Sequence, residues 1–168
     1  MEPIKALAAN NEGTYLVGGG ISGDIYLWEV ATGKLLKKWH GHYRSVTCLV
    51  FSGDDSLLVS GSQDGSIRVW SLIRLKLCVL SCLFFCKALS FILILCSLWL
   101  VRLFDDFQRQ QGNTLYEHNF NEHTMSVTDI VIDYGGCNAV IISSSEDRTC
   151  KVLIWITNVM HLLTAMKV

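Results

Sequence analysis

The sequence predicts an all-β chain that is built from repeated β-rich units and interrupted by one hydrophobic helical insert. Short segments of alternating apolar and polar residues, separated by turn residues, recur with a period of about 40 residues, which is typical of stacked repeats. Between the second and third copies lies a stretch, 77–101, that carries a single charge at Lys87. A stretch of that length and composition favours one helix that is apolar on all sides.

The composition excludes several classes of protein. The 168 residues carry a formal net charge of −1, which argues against a nucleic-acid binder that works through bulk positive charge. Hydrophobic residues make up 51% of the chain, too many for a disordered segment. The 7 cysteines are odd in number and four of them crowd the apolar stretch, so we expect a reducing compartment rather than a disulfide framework. Residues 1–9 contain Glu2 and no long apolar core, so no signal peptide is predicted.

The first two copies of the repeat align over a strand end, a tight turn and a strand that finishes in tryptophan. Ser60–Trp70 matches Gly18–Trp28, and upstream of these segments Ser56–Val59 matches Thr14–Val17. In the second copy, Asp64-Gly65 is a pair that favours a two-residue hairpin turn, because glycine accepts the positive φ that such a turn needs. Each copy is therefore predicted to contain a β-hairpin.

A third copy follows the apolar stretch. Glu122–Val131 matches Gly41–Val50 position by position, and Ser143–Val152 continues the repeat. A unit of this kind cannot bury both of its faces alone, so the copies are expected to stack as neighbours.

These motifs carry a resemblance to a known family. A Gly-His pair at 41–42, followed by Asp64 and then Trp70 within a unit of about 40 residues, resembles the WD repeat of β-propellers. The resemblance implies that each repeat forms one four-stranded blade, in which a histidine, a serine or threonine, an aspartate and a tryptophan form a hydrogen-bonded chain. At those motif positions the second copy has His42, Ser60 (or Ser62), Asp64 and Trp70.

The other two copies depart from this motif. The third copy keeps His123 and Asp147 but has Leu153 at the tryptophan position, so its chain is expected to be broken at the last link. The first copy has Ser22 in place of the aspartate and no Gly-His pair ahead of it. We therefore expect an incomplete WD-repeat β-propeller of two to three blades, which is marginal in stability by itself because closed propellers use about four to eight blades.

A subfamily resemblance covers about two thirds of the chain. Glu2–Leu72, Leu103–Asp106 and Ser126–Val152 resemble the plant root-initiation-defective type, akin to the WD-repeat subunit of the nuclear complex that matures the large ribosomal subunit. This implies a non-enzymatic scaffold in ribosomal RNA processing, located in the nucleus and nucleolus. It also implies protein partners of a pre-ribosome maturation complex, with no cofactor, no small-molecule substrate and no direct contact with nucleic acid.

The predicted division of the chain is residues 1–74 for the first two repeats, 75–102 for the insert, 103–152 for a long loop and the third repeat, and 153–168 for a divergent tail. Arg74-Leu75 recurs as Arg102-Leu103, which suggests that the insert is a translated intron or a gene-model error. A membrane helix and a packed core helix are the alternatives. A membrane helix would separate the third repeat from the second and would make the chain a membrane-tethered interaction module. Whether the insert and the tail belong to the functional protein is left open.

The remaining signals have simpler interpretations. Gly18–Gly23 fits a dinucleotide-binding pattern, but a strand-like segment follows where that pattern needs a helix, so a hairpin is favoured. The Glu117-His118 pair is expected in a solvated linker. His42, Ser60 and Asp64 contain the residue types of a catalytic triad, but no nucleophile elbow is present and no catalytic residue is predicted.

The polar segment that follows the insert is the candidate for partner contact, since long loops on rigid scaffolds often carry binding. The residues proposed for this contact are Asp105, Asp106, Gln108 and Arg109.

Overall fold

Twelve β-strands make up the secondary structure of the described part of the chain, and they form three four-stranded antiparallel sheets. The structure is a computed structural model that describes residues 2–72, 116–133, 139–156 and 159–167. The all-β prediction is confirmed for these residues. The helical insert predicted at 75–102 lies outside them, and no helix among the described residues is long and apolar enough to cross a membrane.

The strands follow one another in chain order within each sheet. The first sheet consists of β1 Ile4–Ala9, β2 Tyr15–Gly20, β3 Asp24–Glu29 and β4 Leu35–His40. The second sheet consists of β5 Val46–Phe51, β6 Leu57–Ser62, β7 Ile67–Ser71 and β8 Tyr116–Phe120. The third sheet consists of β9 Val127–Ile132, β10 Val140–Ser145, β11 Thr149–Ile156 and β12 Val159–Lys167.

The strand register shows that the repeat units occupy equivalent places in the three sheets. Trp28 of β3 pairs with Leu16, and Trp70 of β7 pairs with Leu58 at the same point of the second sheet. Leu153 of β11 holds the corresponding position in the third sheet. Residues that the sequence repeat aligns therefore occupy equivalent positions in the three sheets.

The sheets stack face to face in chain order, with the first strand of each sheet beside the first strand of the next. One apolar core lies between the first and second sheets and another between the second and third. All residues of β6 and β7 are buried, because the second sheet is covered on both faces. Because both faces of the second sheet are covered, neither β6 (LLVSGS) nor β7 (IRVWS) has the exposed face of a strand at a protein surface.

The fourth strand of the second sheet comes from beyond the apolar stretch. Val69 of β7 pairs with His118 of β8, and the ring of His118 stacks on Phe120 with the centroids 6.2 Å apart. The expectation that Glu117-His118 lies in a solvated linker was therefore wrong. The free edge of β7 needs a hydrogen-bonding partner, and this polar segment supplies one through its backbone.

The divergent tail also supplies a strand. β11 continues past the predicted boundary at residue 153, and β12 pairs with it from Thr149↔Lys167 to Ile156↔Val159. Ladder hydrogen bonds join backbone groups, so a segment can complete a sheet without matching the side-chain pattern of the repeat.

Two turn glycines bring successive sheets together. Gly23 and Gly65 have φ values of 90° and 79°, in the left-handed region that favours glycine. The backbone nitrogens of Gly41 and His42 donate to the carbonyl of Gly23 over 2.9 and 3.0 Å. A Cβ added at Gly65 would lie 2.5 Å from the carbonyl oxygen of His123. The segment that carries each histidine thus packs directly against the hairpin turn of the preceding sheet.

Replacing Gly65 by alanine is expected to lower the free energy of unfolding by roughly 3 kcal/mol, since the strained φ and the clash with a backbone carbonyl add together. Gly33 is the matched control: its φ is 66° and nothing lies within 4 Å of an added Cβ. Gly33→Ala should cost only about 1 kcal/mol. Urea unfolding of both variants measures the difference, and equal losses would contradict the close approach at Gly65.

Candidate functional site

The site built from the predicted residues surrounds the imidazole of His42. His42 lies between β4 and β5 and is fully buried. Its Nε2 lies 2.7 Å from Oγ of Ser60, and its Nδ1 lies 2.9 Å from Oγ of Ser66. The close packing of this segment on the turn at Gly23 fixes the position of the ring between the first and second sheets.

Trp70 completes one end of this network. Its indole Nε1 donates to Oγ of Ser60 over 2.9 Å. Of the two serines left open by the sequence, Ser60 is the one in the network. Ser62 instead donates to the backbone carbonyls of Arg44 and Ser45.

Asp64 forms the other end, where its carboxylate accepts hydrogen bonds from two directions. The backbone nitrogens of Tyr43 and Ser66 donate to it over 3.0 and 2.9 Å, and Oγ of Ser66 donates over 2.5 Å. Its Oδ2 is 3.5 Å from Nδ1 of His42, so Ser66 provides the shorter connection. The sequence reasoning missed Ser66. The signal was available, because Thr149 gives the third repeat a hydroxyl at the same position.

The hydrogen atoms of the network can be assigned from its electrostatics. Burial lowers the pKa of His42, so the ring is neutral at pH 7. The neutral tautomer that fits carries its proton on Nδ1, which donates to Ser66, while Nε2 accepts from Ser60. Every donor then points the same way, from the Trp70 indole to the Asp64 carboxylate. Burial alone would raise the pKa of Asp64, but the nearby His42 ring and the hydrogen bonds from Ser66 outweigh it and hold that pKa well below its usual range.

The third sheet repeats most of this arrangement. His123 is buried, with Nδ1 2.9 Å from Oδ2 of Asp147 and Nε2 2.9 Å from Oγ of Ser143. The hydroxyl of Thr149 donates to Asp147 over 2.5 Å. Burial opposes ionisation of Asp147, but the hydrogen bonds from Thr149 and His123 hold its pKa below the usual range. Leu153 stands where Trp70 stands in the second sheet, and its aliphatic side chain has no proton to donate to Ser143.

A buried basic residue accompanies each histidine, and the sequence reasoning did not predict it. Nη1 of Arg68 donates to the carbonyl of Gly41 over 2.6 Å, and Nζ of Lys151 donates to the carbonyl of Glu122. Both cations lie two residues before the tryptophan position, and both carbonyls belong to the residue before a histidine. This spacing, common to the two repeats, was the signal that could have identified them.

The first sheet uses a different carboxylate. Glu2 accepts from the backbone nitrogen and the hydroxyl of Ser22 over 3.0 and 2.8 Å, and from the hydroxyl of Tyr26 over 3.0 Å. The hydrogen bond from the Ser22 hydroxyl lowers the pKa of Glu2. A residue from before β1 therefore provides the negative charge at the turn where Ser22 replaces aspartate.

The buried residues of these networks have a structural role in this arrangement. Ser60 and His42 are both fully buried, so a substrate has no access to the hydroxyl in this arrangement. Within the described ranges, no group of three histidine, cysteine, aspartate or glutamate side chains could hold a metal ion. The candidate partner-contact residues Asp105, Asp106, Gln108 and Arg109 lie outside the described residues.

Comparison with known families defines the class of the protein. Residues 33–71 and 114–153 match the family model described as WD domain, G-beta repeat. These two ranges contain the motif residues of the second and third sheets, from Gly41 to Trp70 and from His123 to Leu153. Residues 33–71 and 114–153 are therefore WD repeats.

Several individual proteins are similar in sequence to most of this chain. The chain is 81% identical over 152 residues to Protein Root Initiation Defective 3 of Arabidopsis thaliana, covering 90% of this chain and 28% of that protein. It is 32% identical to WD repeat-containing protein 18 of Bos taurus, covering 89% and 28%. It is 31% identical to Pre-rRNA-processing protein IPI3 of Mycosarcoma maydis, covering 89% and 22%. The chain thus spans less than a third of the length of the curated relatives it matches.

A solved structure supports the fold independently. The WD40 repeats of RRP9 superpose on the chain with a TM-score of 0.68 at 17% identity, covering 100% of this chain and 39% of that one. A sequence identity of 17% shows a similarity of fold only.

The stability of the chain is expected to fall as the pH drops below about 6.5, the ordinary pKa of histidine. The folded pKa of His42 is lowered, so the unfolded chain binds a proton that the folded chain does not, and stability is fully present only above the unfolded value. Asp64, also lowered, adds a further loss below about pH 4. The free energy of unfolding, measured from pH 7.5 to 5, should change by at most about 1.4 kcal/mol per pH unit for each such group.

His42→Gln should flatten this dependence between about pH 6.5 and 5. An unchanged slope in the His42 variant would show that other groups control the response.

Trp70→Phe is expected to lower the free energy of unfolding by about 2 kcal/mol, because it removes a buried hydrogen-bond donor and leaves a cavity between two sheets. Trp28→Phe alters the equivalent position of the first sheet, where the indole is only half-buried, and should cost less than about 1 kcal/mol. Denaturant titration of both variants provides the measurement. A larger loss at Trp28 than at Trp70 would refute this ranking.

Proposed function

We propose that the chain acts as a non-enzymatic WD-repeat scaffold in ribosomal RNA processing and maturation of the large ribosomal subunit, in the nucleus and nucleolus. The observation that carries the proposal is its similarity to a relative named for pre-rRNA processing across 89% of this chain, together with 81% identity to a plant WD-repeat protein. The partners of such a scaffold are other proteins of a pre-ribosome maturation complex.

The geometry supports a scaffold rather than an enzyme. The polar side chains capable of acid–base chemistry form hydrogen bonds with one another. His42 and His123 each bind a serine on one side and a carboxylate or hydroxyl on the other. Their role in this proposal is to hold the inter-sheet segments in place, so that the loops at the ends of the sheets keep fixed positions. Rigid sheets with variable loops are the usual arrangement for binding several partners.

The partner contact is assigned in this proposal to the polar segment before β8. Asp105, Asp106, Gln108 and Arg109 combine both signs of charge with one side-chain amide, a composition suited to a hydrated protein contact. The segment enters β8, which is hydrogen-bonded to β7. A partner bound there would thus be connected to the buried core of the second sheet.

A membrane-tethered interaction module is the second candidate, and the apolar composition of 77–101 favours it. The two candidates differ in one structural requirement. A helix that crossed a bilayer at 77–101 would place β7 and β8 on opposite sides, yet these strands pair directly from Ile67↔Phe120 to Trp70↔Tyr116. This pairing favours the scaffold without a membrane span.

Fractionation of tagged chain expressed in Arabidopsis thaliana cells tests the proposal. We expect the chain in nucleolar extracts and, after sucrose-gradient sedimentation, in the fractions that contain large-subunit precursor RNA. Recovery in a membrane pellet that resists carbonate extraction, with none in precursor fractions, would refute the proposal and support the membrane module.

A variant with residues 105–113 replaced by a Gly/Ser linker of equal length tests the assigned contact. It should lose co-sedimentation while the matched control, in which the exposed turn 31–34 is replaced in the same way, retains it. Retention in both variants would discard the loop as the partner contact and leave the scaffold role standing.

A further inference from the structure

Two turns of the same geometry carry different residues at their left-handed position. Residues 10–14 join β1 to β2, and residues 52–56 join β5 to β6. The matching backbone hydrogen bonds run from Asn10 to Tyr15 and from Gly13 to Asn10 in the first turn, and from Ser52 to Leu57 and from Asp55 to Ser52 in the second. The fourth residue of each turn has a positive φ, 67° at Gly13 and 54° at Asp55. Glycine adopts this conformation without strain, so an aspartate in its place needs a compensating interaction.

The carboxylate of Asp55 supplies that interaction by binding the turn of the first sheet. Its Oδ1 accepts from the backbone nitrogen of Asn11 over 3.0 Å. Its Oδ2 accepts from Nδ2 of Asn10 and from the backbone nitrogen of Glu12 over 3.1 and 3.4 Å. Nδ2 of Asn11 also donates to the carbonyl of Gly53 over 2.8 Å. Glycine has no side chain that could accept these bonds, so Asp55 connects two sheets as well as closing its own turn.

Asn10 makes one of these bonds, and it too has a group that its counterpart in the second sheet lacks. Its Oδ1 accepts from the backbone nitrogen of Tyr15 over 2.7 Å, in the same way that Oγ of Ser52 accepts from Leu57 over 2.9 Å. That closing bond needs a single acceptor, which a serine provides. The buried asparagine side chain adds an amide donor, and this donor binds Asp55. Asn10 and Asp55 thus each add a group to the shared turn, and the two added groups bind each other.

This contact lies at the opposite end of the sheets from His42. Turns 10–14 and 52–56 each join the first strand of a sheet to the second, whereas His42 lies on the connection from the fourth strand of one sheet to the first strand of the next. Since adjacent strands are antiparallel, these two kinds of connection fall at opposite ends. The backbone nitrogen of Leu72 donates to the carbonyl of Ser56 over 2.9 Å, so the second turn also holds the chain where it leaves β7.

We infer that Asp55 is a conformational latch that fixes the first sheet on the second at the end away from His42. The His42 network locates one end of the interface, and the carboxylate bonds keep the sheets from splaying at the other. While these bonds are made, they hold Asp55 in its strained conformation; when they are broken, the turn at 52–56 is free to relax. The latch goes beyond the proposed function, because it concerns the geometry of the first two sheets whatever binds to them.

Hydrogen exchange of the full chain, followed by NMR, tests the latch at the donors themselves. Asp55→Asn keeps a residue that tolerates positive φ but removes the charge and one acceptor oxygen. We expect the backbone amides of Asn11 and Glu12 to exchange at least about fivefold faster in this variant, because an ionised acceptor makes the stronger hydrogen bond. The amide of Ser66, which donates to Asp64 at the other end of the sheets, should keep its rate.

Asp54→Asn is the matched control for the same chemical change. Asp54 accepts from the hydroxyl of Ser52 and from the backbone nitrogen and hydroxyl of Ser56, and these groups belong to its own turn. This variant should therefore leave exchange in the first turn unaltered. Equal acceleration in both variants, or no acceleration in the Asp55 variant, would overturn the latch.

Asp55→Gly separates the carboxylate bonds from the backbone strain. Glycine relieves the strain and removes the side chain, so the two effects on stability have opposite signs. We expect the midpoint of urea unfolding to fall by roughly 0.5 M, because the lost bonds outweigh the relieved strain. A midpoint that stays the same or rises would show that Asp55 serves only its own turn, and would refute the inference.

Discussion

Burial of both faces of a sheet is the constraint on which the rest of this structure depends. β6 and β7 of the second sheet meet it fully, and the side chains of that sheet fill one core against the first sheet and another against the third. Apolar side chains on both faces leave a strand no solvent side, so they are stable only when sheets stack in series. The hairpin turns and the buried polar networks follow from this serial stacking.

The polar networks specify how the sheets meet. Apolar contact is non-directional, and a stack of sheets held by it alone could slide or rotate. His42 and His123 enter from the segments that connect successive sheets, and each ring is bound on both nitrogens. A buried polar group without partners is costly, so a misplaced sheet would lose these bonds as well as packing. In this way the networks convert apolar stacking into one defined geometry.

The continuity of the second sheet across a long connection has a simple physical basis. β7 ends at Ser71 and β8 begins at Tyr116, yet the two strands pair in regular antiparallel register over most of their length. The entropy cost of closing a loop grows only with the logarithm of its length, by about 0.6 kcal/mol per doubling. A sheet whose other three strands are already packed can therefore recruit its edge strand from a distant part of the chain.

The sequence by itself determined the repeat, the all-β class and the position of each hairpin, because these depend on local periodicity and on turn residues such as Gly23 and Gly65. It also identified His42, Ser60, Asp64 and Trp70 as a group through the family motif. Only the tertiary structure decided which groups touch: that Ser66 lies between histidine and aspartate, that Arg68 and Lys151 bind backbone carbonyls, and that Glu2 serves the first sheet. It alone decided that 116–120 and 159–167 complete two sheets. Edge strands are selected by backbone hydrogen bonding, which leaves almost no trace in side-chain identity, whereas buried faces require particular side chains and are therefore readable from the sequence.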